Sequence, residues 1–229
     1  MIKSVRRIVI NTLRQPIRMF KRPVLTLAHY IFYSDGAWNR TWMGVPVFKL
    51  PFDLWTYQEL VYERKPTLII ESGTYSGGSA LYFAHLMDIM NSSGRIISID
   101  IEPNSGFPQH PRIEYRTASS TAPETLAWVR SKILPDDRVM VVLDSDHRCA
   151  HVQRELELYS PLVTPGQYLI CEDTDVNGHP VNLAHGPGPM EALDAWLPSH
   201  PEFTSDAARE SMVTFFHRGW LLRQADNKR

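Results

Sequence analysis

Thr67-Leu-Ile-Ile-Glu71-Ser-Gly73-Thr-Tyr75-Ser-Gly77-Gly78-Ser79-Ala-Leu-Tyr-Phe83 is the stretch that decides the fold. Apolar and β-branched residues run unbroken into an acidic one, a glycine turn follows, and the apolar period then becomes helical through Leu81, Ala84 and His85. That order spells strand, loop, helix. Glycines in such a loop let the backbone approach a ligand with no Cβ in the way, and the N–H groups opening the helix favour an anionic or polar group. The spacing, Glu-x-Gly-x-x-x-Gly-Gly-Ser, differs from three familiar patterns: the dinucleotide Gly-x-Gly-x-x-Gly, the phosphate loop ending in Gly-Lys-Ser/Thr, and the Gly-x-Ser-x-Gly elbow of hydrolases.

Further strands follow at intervals suited to an α/β domain. Arg95 to Asp100 is the second, and its carboxylate falls just under 30 residues after Glu71, where nucleoside-binding α/β domains use an acidic side chain to accept both ribose hydroxyls. Ile113 to Arg116 is the third, and Ala118-Ser119-Ser120-Thr121 is expected to start a helix running through Val129. Arg138 to Asp144 is the clearest buried strand and ends in Asp144-Ser-Asp146-His147; a helix from His151 to Tyr159 follows. Gly166 to Glu172-Asp173 is the fifth strand. The ends of parallel strands gather at one edge, so Asp144 and the Glu172-Asp173 pair should converge near the ligand of the glycine loop. Three carboxylates with no arginine beside them repel unless protonated or sharing a hard cation, and carboxylate oxygens suit Mg²⁺, Mn²⁺ or Ca²⁺ better than zinc. A long loop, Thr174 to Pro180 and on to Gly186-Pro-Gly-Pro, has the length of a functional segment and carries His179. A helix from Met190 to Leu197 comes next. Phe203-Thr-Ser, Val213 to Phe216 and Trp220 to Arg223 read as the antiparallel finish of the sheet.

Upstream, Asp53 is the expected N-cap of a helix beginning at Leu54. The aromatic, irregular segment from Thr41 to Leu50 has the character of a lid. Residues 1–22 carry seven basic and no acidic side chains beside an apolar stripe of Ile2, Val5, Val9, Leu13, Ile17 and Phe20, the pattern of a basic amphipathic helix that lies on an anionic membrane surface or contacts another subunit. Residues 1–35 are therefore set apart as an N-terminal extension from a single domain over 36–229. With 43% apolar residues the 229-residue chain can fill the core of one α/β domain. A net charge of −1 gives no case for a nucleic-acid partner. Cys149 and Cys171 form no Cys-x-x-Cys pair, which points to a reduced, cytosolic compartment, with membrane contact limited to the inner surface. No apolar run reaches the roughly 18 residues of a membrane span.

The glycine turn after an acidic strand end resembles motif I of the S-adenosylmethionine (SAM) methyltransferases. Taken with Tyr57-Gln-Glu, Leu143-Asp-Ser-Asp-His, Glu172-Asp173, Asn177-Gly-His-Pro and Gly186-Pro-Gly-Pro, the chain from about Trp42 to Arg223 resembles the family named after cephalosporin hydroxylase, class I SAM-dependent O-methyltransferases that include enzymes similar to rhamnosyl O-methyltransferases. The resemblance implies a Rossmann-like, mostly parallel seven-stranded sheet with helices on both faces. It implies SAM contacts from Glu71, Gly73, Tyr75, Ser79, Asp100 and Asp144, with Ser119 where enzymes of this layout hold the adenine amine. It also implies a Mg²⁺ ion held by Asp144, Glu172 and Asp173. Three positions after the strand-four aspartate, where catechol O-methyltransferase has a basic residue serving as general base, stands His147, with His179 in reserve. The expected acceptor is a hydroxyl of a sugar, glycolipid or other secondary metabolite, and the expected assembly a homo-oligomer. Two other readings use the same residues: an Fe(II) hydroxylase with Asp144, His147 and His179 as ligands, and a SAM-binding scaffold without turnover whose working part is the N-terminal helix.

Overall fold

The computed structural model describes residues 24–34, 40–210 and 213–225. The basic stretch 1–22 lies outside them. A helix over residues 24–34 (α1) leads to a two-stranded hairpin, Thr41–Trp42 (β1) and Val45–Pro46 (β2), and to helix α2, Pro51–Arg64. Then follow β3 (Leu68–Ser72), α3 (Gly78–Ile89), β4 (Arg95–Asp100), β5 (Ile113–Thr117), α4 (Pro123–Lys132), β6 (Val139–Leu143), α5 (Cys149–Tyr159), β7 (Tyr168–Cys171), α6 (Pro189–Trp196), β8 (Phe203–Ser205) and β9 (Trp220–Arg223).

The seven-stranded sheet has the order β5-β4-β3-β6-β7-β9-β8. Strands β3 to β7 are parallel, while β9 runs antiparallel between β7 and β8. Both faces are covered, which is why β3 and β6 are buried at every residue and read as continuous apolar runs. The pleat divides them: Ile69, Met140, Val142 and Ile170 face the core under α2 and α3, and Leu68, Ile70, Val141 and Leu169 face the core under α5 and α6. The chain reverses direction across the sheet between β3 and β6, the switch point outside whose carboxyl ends a ligand crevice is expected.

Three local expectations are corrected. Helix α2 starts at Pro51, whose fixed φ suits the first helical position, so Asp53 lies inside the first turn and is fully buried. Helix α4 likewise opens at a proline, Pro123, leaving Ser119 to Thr121 in the preceding loop. The antiparallel finish consists of Phe203–Ser205 and Trp220–Arg223 alone; Val213 to Phe216 forms no strand and instead returns to α2, where the Phe215 N–H donates to Asp53 Oδ2 at 3.1 Å.

Two glycines position the crevice. At Gly73 (φ +89°) a Cβ would stand 1.7 Å from the Asp144 carbonyl oxygen, so the turn after β3 can press on the end of β6 only without a side chain. At Gly78 a Cβ would meet the Pro46 carbonyl at 2.1 Å, and this approach lets the hairpin lie across the start of α3. Trp42 anchors the hairpin through its Nε1 donation to His85 Nδ1 (3.0 Å) and edge contact with Tyr82.

Candidate active site

A cavity of about 530 Å³ opens at the carboxyl edge of β3, β4 and β6. On one side it is lined by Gly73, Tyr75, Ser79, Asp100 and Ser119, on the other by Asp144, His147 and Asp173, so eight of the eleven residues expected from sequence share one wall system. Asp100, at the end of β4, accepts from the Tyr75 N–H (2.7 Å) and the Glu102 N–H (2.9 Å), which fixes its carboxylate at the cavity rim with lone pairs to spare. Tyr75 takes φ +49° and lays its exposed ring 4.5 Å from that of Phe48, a residue of the aromatic segment expected to act as a lid.

The other three expected residues lie off the cavity lining. Glu71 is fully buried beneath the glycine turn, accepts from Ser98 Oγ at 2.5 Å, which links β3 to β4, and has its pKa pushed up to about 7 by burial. His179, after β7, sits 2.8 Å from Glu191 Oε1, which also accepts from Asn177 Nδ2, so the loop histidine secures the start of α6 rather than reaching the cavity. Glu172 is 1% exposed and engaged by two groups that sequence reading did not connect with it: Lys49 Nζ at 2.6 Å from both its oxygens and the Tyr57 hydroxyl donating at 2.5 Å.

Lys49 changes the electrostatic picture. Its ammonium, 2% exposed, also donates to Asp144 Oδ2 at 2.7 Å. Burial alone would lower its pKa, but Asp144, Glu172 and Glu71 outweigh that and hold it charged. The carboxylates expected to repel one another therefore have a cation from the chain itself. The local sign is a lysine between Phe48 and Leu50, just before helix α2.

Beyond Lys49, one oxygen each of Asp144 and Asp173 and one nitrogen of His147 lie within 4.8 Å of one another, the only such metal-capable group among the described residues. His147 Nε2 is 3.5 Å from Asp173 Oδ2. A set with two carboxylates and a single imidazole fits a hard divalent cation through its oxygens. It lacks the second histidine of an iron oxygenase site, since His179 is turned away. On the opposite flank His151 lies 3.2 Å from Ser120 Oγ and 3.1 Å from Ser145 Oγ, with buried Glu155 accepting from Ser145; this network stiffens the wall beside Ser119.

Over residues 35–224 the sequence matches the family Rhamnosyl O-methyltransferase/CmcI. The chain belongs to this family. It is 38% identical over 216 residues to a rhamnosyl O-methyltransferase of Mycobacterium leprae, covering 90% of this chain and 94% of that protein. With a rhamnosyl O-methyltransferase of Mycobacterium tuberculosis the identity is 36% over 217 residues, covering 90% and 89%. Among solved structures, CmcI with Mg and SAM superposes with a TM-score of 0.65 at 21% identity over 84% of this chain and 79% of that one. The MycE methyltransferase of the mycinamycin biosynthetic pathway, in complex with Mg and SAH, gives 0.53 at 18% over 76% and 49%. Both likenesses are of fold: the class I methyltransferase sheet. As a member of the Rhamnosyl O-methyltransferase/CmcI family the protein is a SAM-dependent O-methyltransferase.

Proposed function

We propose that the protein moves the methyl group of SAM to a hydroxyl of a sugar, with a rhamnosyl unit as the acceptor, and that Mg²⁺ or another divalent ion assists. The observation that carries this reading is the convergence of Asp144, His147 and Asp173 within 4.8 Å in the same cavity as Gly73 and Asp100. The rhamnosyl assignment rests on the names of the mycobacterial relatives, which align over nearly all of their length.

Gly73 and Ser79 leave room for the donor's polar end, Asp100 accepts from the ribose hydroxyls, and Ser119 lies on the adenine side. SAM supplies a methyl carbon activated by its sulfonium, so transfer breaks that C–S bond and forms an O–C bond. Asp144 and Asp173 would hold the cation, with Glu172 tied to Asp144 through Lys49. Bound there, the cation would supply Lewis-acid polarisation of the acceptor hydroxyl. His147 takes the hydroxyl proton, and Asp173, 3.5 Å from its Nε2, stabilises the resulting imidazolium. An imidazole suits this step because its ordinary pKa lies near neutrality. The aromatic pair Phe48 and Tyr75 at the mouth limits water at the reacting atoms.

The test is mass spectrometry of purified protein with SAM and a panel of rhamnosides and other glycosides, with and without EDTA. A gain of one methyl group on a rhamnoside that EDTA abolishes is the expected result. Turnover that survives EDTA removes the metal from the reading, and turnover of phenols alone removes the sugar.

A further inference from the structure

Helix α1 lies before the residues that the family pattern matches, yet it contributes to the cavity. It is held on the domain at two points. His29, 1% exposed, sits 2.7 Å from the Thr214 carbonyl oxygen, stacks on His217 and meets Phe215 at a tilt, and the Tyr30 hydroxyl donates to the Pro180 carbonyl at 2.8 Å. One helical turn beyond His29, on the same face, Tyr33 reaches the cavity wall. Its hydroxyl is engaged with Asn182 and lies in the field of Asp173 and Asp175.

Asp175 is the second observation. It lines the cavity, is 1% exposed, and its Oδ2 has no hydrogen-bond partner. A buried acceptor left unfilled is costly and rare, and one at the wall of a binding cavity is a place for a ligand donor. No residue of the reaction described above uses it. Phe215, delivered to the same wall by the loop that α1 clasps, offers an apolar ring beside these polar groups. Polar side-chain oxygens next to aromatic rings suit a pyranose, whose hydroxyls both donate and accept and whose C–H face packs on rings.

We propose that α1 forms the outer wall of the acceptor subsite, with Tyr33 and Asp175 contacting hydroxyls of the sugar other than the one methylated, and so determining which sugar is accepted. This rests on the sugar reading of the preceding subsection. The donor half of the cavity, at the ends of β3 and β4, is untouched by these residues.

The test uses the full chain with S-adenosylhomocysteine and Mg²⁺, and methyl α-L-rhamnopyranoside as the probe. Saturation-transfer NMR titrations report probe binding, calorimetry reports S-adenosylhomocysteine binding, and thermal melting reports folding. Tyr33→Ala and Asp175→Ala should each weaken the probe by about tenfold, the scale of one lost hydrogen bond, while S-adenosylhomocysteine affinity and melting temperature hold. Should Asp175→Ala fail to fold, the half-buried Tyr33 carries the test alone. Equal probe binding by wild type and both variants overturns the proposal and leaves methyl transfer standing. A wild type that binds S-adenosylhomocysteine but not the rhamnoside overturns both the proposal and the sugar reading. Loss of melting temperature in step with probe binding assigns the two residues to folding and overturns the subsite.

Discussion

Replacing Lys49 with methionine should be among the most damaging single changes in the protein. The ammonium lies 2.7 Å from Asp144 Oδ2 and 2.6 Å from both oxygens of Glu172, with Lys49 and Glu172 only 2% and 1% exposed. Methionine fills nearly the same volume, so cavity formation contributes little and the loss isolates the charge. It leaves Glu172 with the Tyr57 hydroxyl as its remaining partner and Asp144 as an unscreened neighbour. Removing one member of a buried ion pair costs about 3–5 kcal/mol, because the other charge stays buried and uncompensated. Glu172→Gln in the methionine background should return part of that, so the double variant falls short of the summed single losses by about 2–3 kcal/mol. Urea unfolding of EDTA-treated protein, wild type and three variants, measures the cycle with no added cation to replace the ammonium. A Lys49→Met protein within about 1 kcal/mol of wild type, or strict additivity, would refute the account of Lys49 as the site's own cation.

His147→Ala should lower kcat by roughly 10² to 10⁴ while leaving SAM affinity by calorimetry unchanged; a near-normal kcat hands the proton to another group. Gly73→Ala should cost roughly 3 kcal/mol or more in urea unfolding, since its Cβ would fall 1.7 Å from the Asp144 carbonyl oxygen at a φ of +89°, and a protein of wild-type stability would mean that the turn has more room than described. Acid stability should depend on Asp137: burial would raise its pKa, but Arg95, the Leu134 N–H and Thr67 outweigh it and hold it down to about 2. A depressed carboxyl stabilises the fold above its unfolded pKa and loses that contribution as pH falls, so up to about 2 kcal/mol should vanish between roughly pH 4 and 2. Asp137→Asn should flatten that part of the stability curve, and an unchanged slope by chemical denaturation would contradict it.

The central strands were legible because a sheet covered on both faces demands continuous apolar runs, and Leu68 to Ile70 and Val139 to Leu143 supply them. The gathering of Gly73, Asp100, Asp144, His147 and Asp173 followed from strand ends sharing an edge. What escaped was decided by contacts distant in sequence. Asp53 has the local character of a cap, but its partner is the Phe215 N–H, 162 residues away. The repulsion among carboxylates was sound physics with one charge missing, since Lys49 lies 95 and 123 residues before its partners and no local period marks it as buried. Tyr33 is one aromatic among many near the N-terminus, and nothing in its neighbours distinguishes a cavity wall from a surface.

The clasp between α1 and the loop before β9 also bears on how the enzyme is made. His29 and Thr214 are 185 residues apart, so the helix emerges from the ribosome long before its docking surface exists. The sheet from β3 to β7 can assemble during synthesis, with the cavity wall of Gly73, Ser79 and Asp100 formed on it. The wall lined by Tyr33 and Phe215 must wait until residues 213–216 have been translated and the β8–β9 pair has closed. A nascent or C-terminally truncated chain would thus have the wall around the glycine turn before the wall that α1 and Phe215 complete.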